Sequence, residues 1–68
     1  MSTDVAAGIV QQIRSAAELA DDFEAAHELE KTLWHRTLLA IRDGHDAPRE
    51  LAAIALTTTL IPFKRAFA

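Results

Sequence analysis

Cysteine is absent from this 68-residue chain, which excludes a disulfide or a thiolate-held zinc as support for the fold. Tyrosine is absent too, and glycine and proline occur only twice each, too little turn chemistry for an all-β fold with many reversals. Long apolar runs are also missing. The most apolar stretch, LAAIALTTTLIPF, has thirteen residues, three of them threonine, where a membrane-spanning helix needs about 20. The first residues, Met-Ser-Thr-Asp, lack the basic region and apolar run of a secretory signal, so the expectation is a soluble, cytoplasmic protein. Catalytic patterns are equally scarce. The chain holds no glycine-rich phosphate loop, and Ser2 and Ser15 stand beside no base with an orienting partner. His45 follows Gly44 in what reads as an exposed turn. Neither an enzyme nor a cofactor is expected.

What is present is helix-forming. Half of the residues are hydrophobic, mostly Ala, Leu and Ile, and with Glu and Arg they favour helix strongly. The expected fold is a single all-α domain over residues 1–68: a small helical bundle. It comprises a long N-terminal helix or helical hairpin over about residues 4–43, a helix at about 47–57 and a short C-terminal helix. Chains this short bury only roughly 60% of their unfolded surface and often complete the core with another molecule. A homo-oligomer or a protein partner is therefore expected. The charge is uneven. Residues 1–34 carry seven acids and two bases, residues 35–68 three acids and five bases, so the second half is the half more attractive to a polyanion.

The local signals fix most boundaries. Ser2, Thr3 or Asp4 can cap a first helix. Val5, Ile9, Ile13, Ala16, Ala20 and Phe23 then recur at spacings of three and four, and at about 100° per residue Ala26, Leu33, Trp34, Leu38 and Ile41 continue the same face. Gly8 weakens this helix unless a close contact needs the space. Asp21-Asp22 can restart a helix, with Asp21 capping and Glu24 completing a capping box, yet no Gly or Pro breaks the chain there. One helix from about residue 4 to 43, or two meeting at 20–22, both satisfy the pattern. Asp43-Gly44 is a stop and Pro48 a start. Leu51, Ile54 and Ala55 give the next helix its buried face. Thr57-Thr58-Thr59 favours a cap, after which Leu60, Ile61, Phe63 and Phe67 can form a last short helix.

The stretch FEAAHELEKTLWH, residues 23–35, resembles metal motifs without completing one. Glu24-x-x-His27 spaces two ligands one turn apart, but Glu24 points to the flank. In the zinc-protease pattern the second His would stand where Lys31 does. Glu24, His27, Glu28, Lys31 and His35 are better explained as a polar flank with a weak Glu28–Lys31 pair, so no metal is expected. Glu30 is the exception, since it falls inside the apolar arc. A buried carboxylate must be paired or protonated, by Arg14 in a hairpin or by a base on another chain. The favoured expectation is a groove-edge position with the carboxylate in water. Trp34 is either the central core aromatic or an interface anchor. Leu29 and Leu39 lie off the main stripe and need cover. The apolar strip of the first forty or so residues is expected to exceed what the rest can cover, giving an interface of Phe23, Leu29, Leu33, Trp34, Leu38 and Leu39.

Two resemblances arise in the second half. HRTLLAIRDGHDAPRELAAIAL, residues 35–56, resembles the end of many small uncharacterised actinobacterial and phage helical proteins. Those close with a helix, a Gly-His-type turn and a Pro-initiated Leu-Ala helix, and the resemblance implies no activity. PRELAAIALTTTLIPFKR resembles the helix-turn-helix class, although Leu56 stands where Gly is common and Pro62 where a β-branched core residue is expected. It implies a small DNA-binding regulator over residues 48–67, with 60–67 as the recognition helix and Thr58, Thr59, Lys64 and Arg65 facing DNA. A non-enzymatic protein–protein interaction module is the leading expectation, and the DNA-binding regulator its alternative.

Overall fold

The computed structural model of the chain describes residues 1–65. Three helices, α1 (Thr3–Glu18), α2 (Phe23–Arg42) and α3 (Pro48–Leu56), are followed by a 3-10 helix (Thr57–Leu60). There is no strand among the described residues. Ser2 is the cap of α1, its hydroxyl accepting from the Val5 amide at 3.1 Å.

The chain takes the hairpin alternative, not the rod. Asp21 adopts φ +50°, a left-handed conformation that Asp tolerates better than most residues. The Asp22 carboxylate then caps α2 by accepting from the Ala25 amide at 3.1 Å. The capping residue is therefore Asp22, one position later than the expected Asp21, because Asp21 is used to turn the chain. At the far end Gly44 has φ +87°. The amides of Gly44 and His45 close back on the carbonyls of Ile41 and Ala40, the paired bonds that end a helix at a left-handed residue. His45 is half-buried here: its Nδ1 accepts from the Ala47 amide at 2.9 Å, and its Nε2 lies 2.7 Å from the Met1 carbonyl. Those bonds tie the α2–α3 turn to the start of the chain.

Each helix contributes one stripe to the core: Ala6, Val10, Ile13 and Ala17 from α1, Ala26 and Leu33 from α2, Leu51 and Ala55 from α3, closed by Ile61. On α1 the stripe is rotated by one residue from the expected Val5–Ala20 line, and Val5 is exposed. The observed stripe sets Val10 and Ile13 between the small side chains at 6 and 17. Gly8 is exposed, with nothing within 4 Å of where a Cβ would stand. No close contact needs it. Gly8→Ala is expected to raise stability by about 1 kcal/mol, read as a higher urea midpoint at unchanged slope.

The last segment departs from the expected short helix over residues 60–67. The three threonine hydroxyls donate to carbonyls three residues back, Thr57 to Ile54, Thr58 to Ala55 and Thr59 to Leu56. This satisfies the open carbonyl end of α3 and tightens the chain into the 3-10 helix. Ile61 is already extended (ψ 115°), as suits a residue before Pro62. Phe67 lies outside the described residues.

The accessible surface, 4434 Å², is close to the roughly 4,200 Å² expected of a monomer of this mass. Among the described residues, the large apolar side chains left exposed are Val5 and Leu19 at the two ends of α1, Trp34 and Leu38 on α2, Leu56 on α3 and Leu60 in the 3-10 helix.

Candidate interaction groove

Two clusters on the α2–α3 side concentrate the residues of interest. The first is polar and internal. Glu30 is only 8% exposed and does not reach water as expected. Arg65, 35 residues later, clamps it with Nε on Oε1 at 2.9 Å and Nη2 on Oε2 at 3.1 Å. The same guanidinium donates to the carbonyls of Thr58, Ile61 and Phe63 and lies 3.8 Å over the Phe63 ring, which itself stacks on Phe23 at 6.5 Å. Arg14, the in-chain partner considered for Glu30, pairs with Glu18 instead at 3.2 Å. Burial raises the Glu30 carboxyl. The hydrogen bonding of Arg65 and Thr58 and the charge of Arg65, with a further contribution from His27, outweigh burial and hold it below its ordinary value of 4.5.

Trp34 joins this cluster from α2. Its indole N–H is shared between the Ala55 carbonyl at 3.1 Å and the Thr58 hydroxyl at 3.0 Å. One edge of the ring is therefore fixed to α3 while the residue as a whole stays 38% exposed. It is therefore not the central core aromatic: it stands outside the buried cluster and pins α2 to α3 from the surface.

The second cluster is apolar and open. Trp34, Thr37, Leu38 and Ile41 of α2 face Ala52, Ala55 and Leu56 of α3 across a groove of about 350 Å³. Leu38 on one lip is 68% exposed and Leu56 on the other 56%. Thr37 is buried with its hydroxyl unpartnered among the described residues. The small alanines at 52 and 55 create the groove, since their side chains cannot fill the space between the two helix surfaces.

The expected interface residues scatter. Leu33 is fully buried in the chain's own core and cannot meet a partner, because it falls at the centre of the α2 stripe with Ala26 and Thr37. Leu29 packs against that core, Phe23 is half-buried under Phe63, and Leu39 is half-buried away from the groove. Trp34 and Leu38 remain on the open face. Of the residues expected to face DNA, Thr59 and Lys64 are at the surface, but Thr58 is fully buried and Arg65 is turned onto Glu30. The turn chemistry of α3 needs the Thr58 hydroxyl, and the buried carboxylate needs the guanidinium. Ala52 and Leu56 are lining residues not expected from sequence at an interface. Their signal was the i, i+4 spacing on α3, on the side away from Ile54.

Among the described residues no group of three or more His, Cys, Asp or Glu could hold a metal ion, and no helix is long and apolar enough to cross a membrane. No family model, curated protein or solved structure matches this chain. Only the geometry bears on function.

Proposed function

We propose that this protein works by binding and not by catalysis: a small helical interaction module of the cytoplasm that docks a protein chain in the α2–α3 groove. The observation that supports this is the pair of leucines, Leu38 and Leu56, standing open on facing lips above an apolar floor. A scattered exposed leucine needs no explanation, whereas leucines clustered around a concavity are the usual mark of a docking surface. The floor is built and not accidental, because the Trp34 hydrogen bonds hold α2 and α3 at a fixed separation. The nucleic-acid alternative retains only Thr59 and Lys64 of its four surface contacts.

A photoreactive amino acid at His35, beside Leu38 on the exposed face of α2, tests the docking. In cells that express the protein, a discrete cross-linked adduct is expected from position 35. It should be absent when the label is moved to Gln12, on exposed α1, and lost when Leu38→Asp is added. An adduct no stronger at 35 than at 12, or one unaffected by Leu38→Asp, would overturn the proposal.

A further inference from the structure

Resting on that docking surface, the charge pattern around the groove specifies its occupant, and we infer that it is an acidic amphipathic helix of a partner protein. On a helix, surface neighbours stand three and four positions apart. Leu38 has His35 and Arg42 as such neighbours, Trp34 has Lys31, and Ala52 has Arg49. No exposed Asp or Glu stands three or four positions from any lining residue. Glu30 is the acid that does so, and it is buried beneath Arg65. Ten acids and seven bases make up the charged side chains of the chain, so cations at these neighbouring positions run against its overall sign, although exposed Glu28 and Asp43 stand beside Lys31 and Arg42.

Those cations are available. Lys31 pairs with Glu28 at 3.6 Å and Arg42 with Asp43 at 2.9 Å. Both pairs are solvent-exposed, worth about 0–1 kcal/mol, and readily exchanged for another carboxylate. Among the described residues Arg49 belongs to no ion pair.

The occupant's backbone follows from the walls. Both are helices whose main-chain groups are already bonded to each other, so there is no free sheet edge to which an extended peptide can add. A ligand crossing this apolar floor must satisfy its own backbone, and a helix does so. Apolar anchors at i, i+3 or i+4 and i+7 then enter between Leu38 and Leu56, and Asp or Glu beside them meet Lys31, Arg42 and Arg49. A second copy docked symmetrically through the same groove would set basic rim against basic rim, which costs affinity. Duplex DNA suits the charge but not an apolar floor, since phosphates and base edges call for polar donors.

Selection from a displayed library of helical peptides about 16 residues long, roughly four turns, tests this with the purified full chain. Anchor positions are fixed as Leu, and flanking positions are randomised with Glu and Lys at equal frequency. Enriched peptides are expected to favour Glu over Lys by about threefold or more per rim position, the equivalent of one exposed ion pair. The bias should reverse against Arg42→Glu with Arg49→Glu, and enrichment should vanish against Leu38→Asp. A selected peptide should also blue-shift the emission of Trp34, the one tryptophan of the chain. Enrichment without charge bias, or with Lys favoured, overturns the acidic assignment and leaves the groove reading standing. Enrichment that survives Leu38→Asp overturns both, as does no enrichment. A dimer in sedimentation that Leu38→Asp dissolves would make a second copy the occupant, and a Trp34 shift with duplex DNA a nucleic acid; either result overturns the inference.

Discussion

Replacing Arg65 with alanine is expected to destabilise the protein by about 2–3 kcal/mol at neutral pH, far more than an ordinary surface arginine. Removing one partner of a buried ion pair leaves an uncompensated charge and costs about 3–5 kcal/mol. The figure is reduced here because the Arg65 side chain is about a third exposed, so water screens part of the interaction. Glu30→Gln should cost less, about 1 kcal/mol, since an amide can still accept one of the guanidinium bonds. Joint replacement, Glu30→Leu with Arg65→Met, should cost less than Arg65→Ala, about 1–2 kcal/mol, because two apolar side chains avoid the desolvation that the pair must offset while the carbonyls of Thr58, Ile61 and Phe63 still lose a donor. The pH dependence separates charge from packing. In the parent the folded carboxyl titrates below its ordinary 4.5. The unfolded chain therefore takes up the proton first, and the contribution of the pair is full above about pH 4.5 and lost as pH falls through the folded value. In Arg65→Ala, burial is left as the dominant influence and the carboxyl should rise. Its folded form then takes up the proton first, and the deficit should shrink as pH falls from 7 toward 5. Urea unfolding followed by circular dichroism at the two pH values measures this. A deficit independent of pH would mean that Arg65 acts through its packing on Phe63 and its bonds to the carbonyls of Thr58, Ile61 and Phe63, and not through the charge of Glu30.

Neither half of that pair identified the other from sequence. Glu30 was legible as a carboxylate needing a partner, because it falls inside an apolar arc. Arg65 was legible only as a cation near the end of the chain. Their meeting depends on the path of residues 57–65, set by three hydroxyls closing on α3 carbonyls and by the turn before Pro62. Helical periodicity carries no such information. The boundaries at Ser2, Asp43-Gly44 and Pro48 were legible for the opposite reason, since capping and left-handed closure are local chemistry. The break at 19–22 lies between these cases. Its apolar register is continuous, Gly and Pro are absent, and only the burial gained when α1 folds back over α2 and α3 distinguishes a hairpin from a rod. The groove was half legible. Trp34 and Leu38 were placed at an interface, but Leu33 was placed there with them, because a wide apolar arc does not reveal which part its own chain will cover.

Leu33 and Leu38, five residues apart on one helix, should therefore respond to the same substitution in opposite ways. Leu33 is fully buried, whereas Leu38 is 68% exposed. Leu33→Ala removes buried methyl groups and leaves a cavity in the core that Ile13, Ala26 and Leu51 also belong to, at a cost of about 2–5 kcal/mol. A domain of this size has about 3–10 kcal/mol of total stability, so a large share of the variant should be unfolded on warming to 37 °C. Leu38→Ala removes an equal number of atoms from a surface that water already reaches, and should alter stability by no more than about 0.5 kcal/mol. Docking should show the reverse order: Leu38→Ala loses the cross-link from position 35, while the folded fraction of Leu33→Ala keeps it at low temperature. Thermal melts of the two variants, with the cross-link measured at 10 °C and scaled to folded protein, read both effects. Equal loss of stability in the two would mean that the lip of the groove is covered in the isolated chain, and that α2 and α3 present no open face to a partner.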